Sequence, residues 1–220
     1  MNRIRILRIS GTVATAALAG AMWMSPALGA TGRLPDSMTA KAHPAASMPD
    51  MPGMAASHTS PLTRKLAAAR LASAKYATNL ALAKKNGYMQ ITPVMTNMGV
   101  HFLNPKISGF SVTKPQILVY EKHGKSFQLG ALEWVFPAKP KTRPLPGARF
   151  GTFPAACHYA DGNFIPKASQ SDCPMPEPKT GAKFTFWHPL LITMHVWIWY
   201  PNPAGLYNST NPLVAPFNKG

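Results

Sequence analysis

The chain has 220 residues, with 23 Lys or Arg against 7 Asp or Glu and a net charge of +16. That length holds one domain with extensions, and the charge suits anionic partners or an acidic medium. The basic residues are scattered rather than massed in a stripe, which argues against nucleic acid. No P-loop, dinucleotide fingerprint, G-x-S-x-G or H-E-x-x-H occurs, so the common nucleotide, hydrolase and zinc-protease chemistries have no motif here.

Residues 1–30 begin with Arg3, Arg5 and Arg8, continue in a short apolar run, and end in Ser25-Pro26-Ala27-Leu28-Gly29-Ala30. This is the pattern of a secretory signal peptide, with cleavage expected after Ala27, Gly29 or Ala30 and a periplasmic or extracellular destination. An uncleaved anchor is the alternative. No later stretch is long and apolar enough to span a bilayer. Without the leader, 20 basic residues remain against 7 acidic ones, a net +13.

Residues 31–59 form a linker without Ile, Val, Phe, Tyr or Trp; such a segment buries too little to offset its ordering entropy. It contains His43, Met48, Met51, Met54 and His58. Thioether and imidazole are ligands for Cu(I) and other soft ions, and the M-x-x-M-x-x-M spacing resembles the methionine motifs of exported copper-handling proteins.

A helix is predicted over 60–86. Ser60 caps it, Pro61 suits its first turn, Lys84 and Lys85 complement its C-terminal dipole, and Gly87 ends it. From Tyr88 the apolar period changes to two. Strands are predicted at 89–92, 100–103, 116–121, 127–136, 183–187 and 191–200. Residues 121–125 read as a hairpin turn. Residues 137–154 read as a basic, Pro-rich surface loop, 155–180 as a second long excursion, and 201–220 as a tail. Two long loops in a small sheet domain point to something built at the loop end. Cys157 and Cys173 are expected to pair after export, closing roughly 16 residues and contributing about 3 kcal/mol.

The strand at 191–200 is bulky on both faces, as expected of a central strand covered on both sides. Leu191, Thr193, His195, Trp197 and Trp199 share one face, and Ile192, Met194, Val196, Ile198 and Tyr200 the other. Glu133 lies in the otherwise apolar run Leu129-Gly130-Ala131-Leu132-Glu133-Trp134-Val135-Phe136, where a carboxylate needs a cation, a metal or a cage of hydrogen bonds. His101 enters the sheet just before the hairpin. His101, Glu133 and His195 thus form a candidate set of two imidazoles and a carboxylate that leaves positions open on a metal; a buried His–Glu pair that satisfies itself is the alternative. Glu121 is expected to be solvated at the turn end, seven or eight positions from Glu133 along the strand, roughly 25 Å. His123 in the turn, His158 in the disulfide loop and His188 before Pro189 stand outside that set.

Several blocks occur in order: Lys75-Tyr76, Asn86-Gly87-Tyr88, Met98-Gly99-Val100-His101-Phe102-Leu103-Asn104-Pro105, Leu118-Val119-Tyr120-Glu121, Leu132-Glu133-Trp134, His195-Val196-Trp197-Ile198-Trp199 and Asn202-Pro203-Ala204-Gly205. They resemble a family of small exported bacterial proteins of unknown function, over about residues 67–211. The resemblance implies export and a β-rich domain, with no reaction to carry over. A looser similarity to cupin-like metal barrels rests on His and Glu types alone; the closely spaced H-x-H of cupins is absent.

The expectation is a mainly β chain: a single domain over 60–220, built as an antiparallel β-sandwich or partial barrel with one N-terminal helix packed on it. The leading function is metal binding in the cell envelope, copper first. The alternative is a non-enzymatic module whose basic loops, 139–149, contact anionic polymer or lipid. Oxygen chemistry at an iron held by two imidazoles and a carboxylate is a third.

Overall fold

The computed structural model describes residues 59–218. The leader expected over 1–30 and the expected linker ligands His43, Met48, Met51, Met54 and His58 lie outside the described residues.

Ser60 starts helix α1 (Pro61–Ser73), its hydroxyl accepting from the Thr63 N–H at 3.1 Å. The single helix expected over 60–86 is broken. After a 3-10 turn (Ala74–Tyr76) the chain leaves helical geometry, and Asn79 caps a new helix, α2 (Leu80–Lys85), accepting from the Leu82 N–H at 2.9 Å. The sheet causes the break. The Tyr120 hydroxyl donates to Tyr76 O at 2.8 Å, and the Leu129 N–H donates to Ala77 O at 2.7 Å. Tyr76 O keeps a 3-10 bond from the Asn79 N–H at 3.2 Å as well, while Ala77 O, which would otherwise accept the next helical bond, is taken by the strand. Gly87, at φ +96°, closes α2: its N–H bonds Lys84 O and the Tyr88 N–H bonds Ala83 O, the paired bonds of a Schellman end.

Among the described residues nine strands follow: β1 (Met89–Gln90), β2 (Val100–Leu103), β3 (Ile117–His123), β4 (Ser126–Phe136), β5 (Gly151–Phe153), β6 (Ala156–Tyr159), β7 (Phe164–Pro166), β8 (Phe184–His188) and β9 (Leu191–Val196). They make two antiparallel sheets, a six-stranded one in the order β1-β2-β3-β4-β9-β5 and a three-stranded one in the order β7-β6-β8. The architecture is sandwich-like. Among the described residues no helix is long and apolar enough to cross a membrane.

Alternation sorts the large sheet into two faces. Val100, Phe102, Leu118, Tyr120, Leu132, Trp134, Met194 and Val196 pack with Ala69, Tyr76 and Ala83 of the helical segment. Ile117, Val119, Ala131 and Trp197 turn the other way, to Ile91 and to Phe153 and Phe186 of β5 and β8. The Cys157–Cys173 disulfide forms, with its Cα atoms 5.7 Å apart, and packs with Tyr159 beside the small sheet.

Several expectations are corrected. The hairpin turn is the two residues Gly124-Lys125, with Gly124 at φ +61° and His123 opposite Ser126. A bulge at Gly130 then shifts the register, so that Glu133 faces Ile117 rather than residue 113 or 114. Glu121, expected in solvent, is fully buried. The excursion at 155–180 supplies β6 and β7, and the loop at 137–154 ends in β5. Strand β9 stops at Val196 because the tail takes over: the Trp197 N–H donates to Leu206 O at 3.0 Å and its indole N–H to Asn208 O at 2.7 Å. That tail is no appendage, since Asn211, Val214 and Asn218 are buried.

Candidate metal centre

Three strands bring the predicted set to one face. His101 sits in the middle of β2 opposite Val119, and Glu133 on β4 lies between Ile117 of β3 and His195 of β9. All three side chains are buried: His101 is 4% exposed, Glu133 7% and His195 3%. His101 Nε2 lies 3.4 Å from Glu133 Oε2, and the His101 and His195 ring centroids are 5.9 Å apart. The His195 ring also leans on Trp197 at 4.8 Å, and neither of its nitrogens has a hydrogen-bond partner.

Burial sets the protonation states. It pushes His101 down to about 4 and raises Glu133 to about 7, the Thr193 hydroxyl opposing the latter. Burial holds His195 well below its ordinary value, with His101 adding to the effect. Both imidazoles are therefore neutral at pH 7 and keep their lone pairs. The 3.4 Å contact is not an ion pair, because removing water favours the uncharged form of each partner. It is also long for a hydrogen bond. It does match two ligands on one ion: donors about 2.05 Å from a tetrahedral centre stand about 3.3 Å apart.

His101 is held on its other side by Thr92. The Thr92 hydroxyl accepts from the His101 backbone N–H at 3.0 Å and lies 3.2 Å from His101 Nδ1. A polar partner on the far ring nitrogen is what orients a ligating imidazole.

His101 and Glu133 open onto a cleft of about 540 Å³, with Met95 and Met98 on its wall. Those methionines ride on a tight turn. The Met95 N–H bonds Gly99 O at 2.9 Å and the Gly99 N–H bonds Met95 O at 2.8 Å, with Gly99 at φ +82°. The tail secures the turn: the Asn211 N–H donates to Asn97 O at 2.8 Å, and Asn218 Nδ2 reaches Thr96 O at 3.3 Å. Sequence reasoning passed over Met95 and Met98, although M-x-x-M-x-x-H was readable over residues 95–101.

Among the described residues, no three His, Cys, Asp or Glu side chains stand close enough together to hold a metal ion. His101 and Glu133 make a two-residue edge on the cleft, His195 sits beside it, and the thioethers of Met95 and Met98 share the cleft wall. Cys157 and Cys173 are spent in the disulfide. No family model, curated protein or solved structure matches the chain, so the reading of this centre rests on its own residues.

Proposed function

We propose that this is an exported cell-envelope protein that binds a soft transition-metal ion, copper first, in the cleft at His101 and Glu133. The observation that carries the reading is the buried His101 Nε2–Glu133 Oε2 edge of 3.4 Å beside an imidazole with two unpartnered nitrogens. Buried polar atoms without partners are rare in folded proteins and call for an explanation; an ion at the His101–Glu133 edge, next to the His195 ring, would supply one. Met95 and Met98 add thioethers, which favour Cu(I) over harder ions. The methionines and histidines at 43–58 are a second set of soft donors on the same chain.

The test is titration with Cu(I) against a chromophoric chelator, using the wild-type chain and a variant with His43, Met48, Met51, Met54 and His58 replaced. The reading expects the linker variant to retain a saturable site in the cleft and His101→Phe in that background to bind one Cu(I) fewer. Retention of that site in His101→Phe overturns it.

A second reading is favoured by the loop at 139–149. Lys139, Lys141, Arg143 and Arg149 line a separate groove of about 340 Å³. A groove edged by cations attracts anionic polymer or lipid headgroups through screened electrostatics. Retention on anionic vesicles that falls steeply with salt and ignores chelators supports this reading; equal retention on neutral vesicles defeats it.

A further inference from the structure

Two other histidines are buried on the far side of the same sheet interface. His158 of β6 is 1% exposed and His188, at the end of β8, is 8% exposed. Their ring centroids are 5.0 Å apart. His158 Nδ1 lies 2.9 Å from Ile91 O, and His188 Nδ1 lies 2.6 Å from Pro189 O. A carbonyl only accepts, so each Nδ1 carries the proton. Each Nε2 is then left with a bare lone pair, and both Nε2 atoms are buried without a partner.

The two rings line one cavity of about 70 Å³. Its remaining walls are apolar, among them Leu103, Val135 and Phe186. The space exceeds one water's share of about 30 Å³ and falls far below the roughly 300 Å³ of an organic-ligand pocket. Its surface is apolar, and the two buried imidazoles beside it supply nitrogen donors and no oxygen. Hard divalent ions require several oxygen ligands, and the cost of moving an ion out of water rises with the square of its charge. A monovalent soft cation content with two imidazoles fits both limits. Backbone carbonyls on the far ring nitrogens are the usual support of ligating histidines.

We propose that His158 and His188 form a buried two-coordinate site for a soft monovalent cation, Cu(I) or its surrogate Ag(I), separate from the His101–Glu133 edge. The two centres are joined through one residue. The Ile91 N–H donates to His101 O at 2.9 Å, while Ile91 O accepts from His158. Ile91, Ile117 and Phe153 line both the cleft and the small cavity, so the two spaces adjoin.

The experiment adds Ag(I), which undergoes no redox change, to the 15N-labelled full-length chain and follows each imidazole nitrogen by long-range 1H–15N correlation. Large saturable shifts are expected at Nε2 of His158 and His188, with both Nδ1 atoms remaining protonated. His188→Phe, which keeps a ring in the aromatic cluster, is expected to abolish the His158 response and to bind one Ag(I) fewer than the wild type. His158 and His188 Nε2 signals that stay unmoved at saturating Ag(I) overturn the proposal and leave the cavity to a bridging water. A His158 response that survives in His188→Phe overturns it as well. If His188→Phe misfolds by its amide spectrum, the wild-type ring signals decide alone. A response confined to His101 and His195 overturns this site and upholds the cleft; a response confined to His158 and His188 does the reverse.

Discussion

Glu133→Leu is expected to stabilise the metal-free protein by about 1–3 kcal/mol at pH 8 and to weaken copper binding at least about a hundredfold. The two effects have one cause. A carboxyl raised to about 7 by burial favours its neutral form in the fold relative to the unfolded chain. Its contribution to stability is complete below the ordinary carboxylate value near 4.5 and is lost as pH rises through about 7. At pH 8 the metal-free fold therefore carries an ionised group in an apolar layer, beside a neutral His101 3.4 Å away. Leucine of similar volume removes that burden. It also removes the one oxygen donor placed for an ion that shares His101. Chemical denaturation at pH 8 and chelator competition read the two effects on the same sample. A variant less stable than wild type with undiminished copper affinity makes Glu133 a structural residue and removes the case for the cleft.

The stability difference between Glu121→Gln and wild type is expected to move by about 2–3 kcal/mol in favour of the variant between pH 4.5 and pH 8. Glu121 is the more enclosed of the two carboxylates. A Cβ at Gly99 would stand 3.0 Å from both of its oxygens, and one at Gly130 would collide with it, so two glycines make the niche it occupies. Asn218 donates to Oε2, while Oε1 has no partner. Burial raises the group to about 7, with the Asn218 bond opposing. The sign is that of Glu133: stability is present in full below about 4.5 and lost as pH rises through about 7. The glutamine amide does not titrate, so the difference between the two proteins isolates the carboxyl whatever the baseline cost of the substitution. Urea unfolding at the two pH values measures it. A difference that does not change with pH shows that the ionised carboxylate is as well solvated in the fold as in water.

This niche also bears on the cleft. Asn218 spans Glu121, Thr96 O and Val214 O, and Gly99, which borders the carboxylate, closes the turn that carries Met95 and Met98. The C-terminal segment therefore clamps that turn through a residue far away in sequence. Ionisation of Glu121 strengthens its charge-assisted bond from Asn218 while raising the cost of burying it, so the turn and the stability of the whole fold are tied to the same carboxyl.

Local pattern made part of this legible. Ser60 and Pro61 announced the first helix, and alternation in 191–200 placed His195 and Trp197 on one face. The apolar run around Glu133 marked it as a carboxylate out of place, and the cysteine pair implied the disulfide that forms. The first three depend on neighbours within a few residues, where propensity, period and capping act; the disulfide follows from the cysteine count. The errors were all non-local. The helix is interrupted at 77–79 because Tyr120 and Leu129 capture carbonyls that nothing in 60–86 reveals. Glu121 looked exposed because the turn was placed too early and the tail was not known to fold back over it. His158 looked like a loop residue because β6 has only four residues and exists by pairing with β7 and β8.

The amino-acid order by itself determined the mainly β character, the donor types and the faces of the long strands, since those follow from chemistry and a period of two. Only the tertiary structure decided which donors meet. A one-residue bulge at Gly130 sets the register that puts Ile117 beside Glu133, and the antiparallel pairing of β6 with β8 brings the His158 and His188 ring centroids to 5.0 Å. Register and sheet packing are settled by the free energy of the whole core, and no short window of sequence contains it.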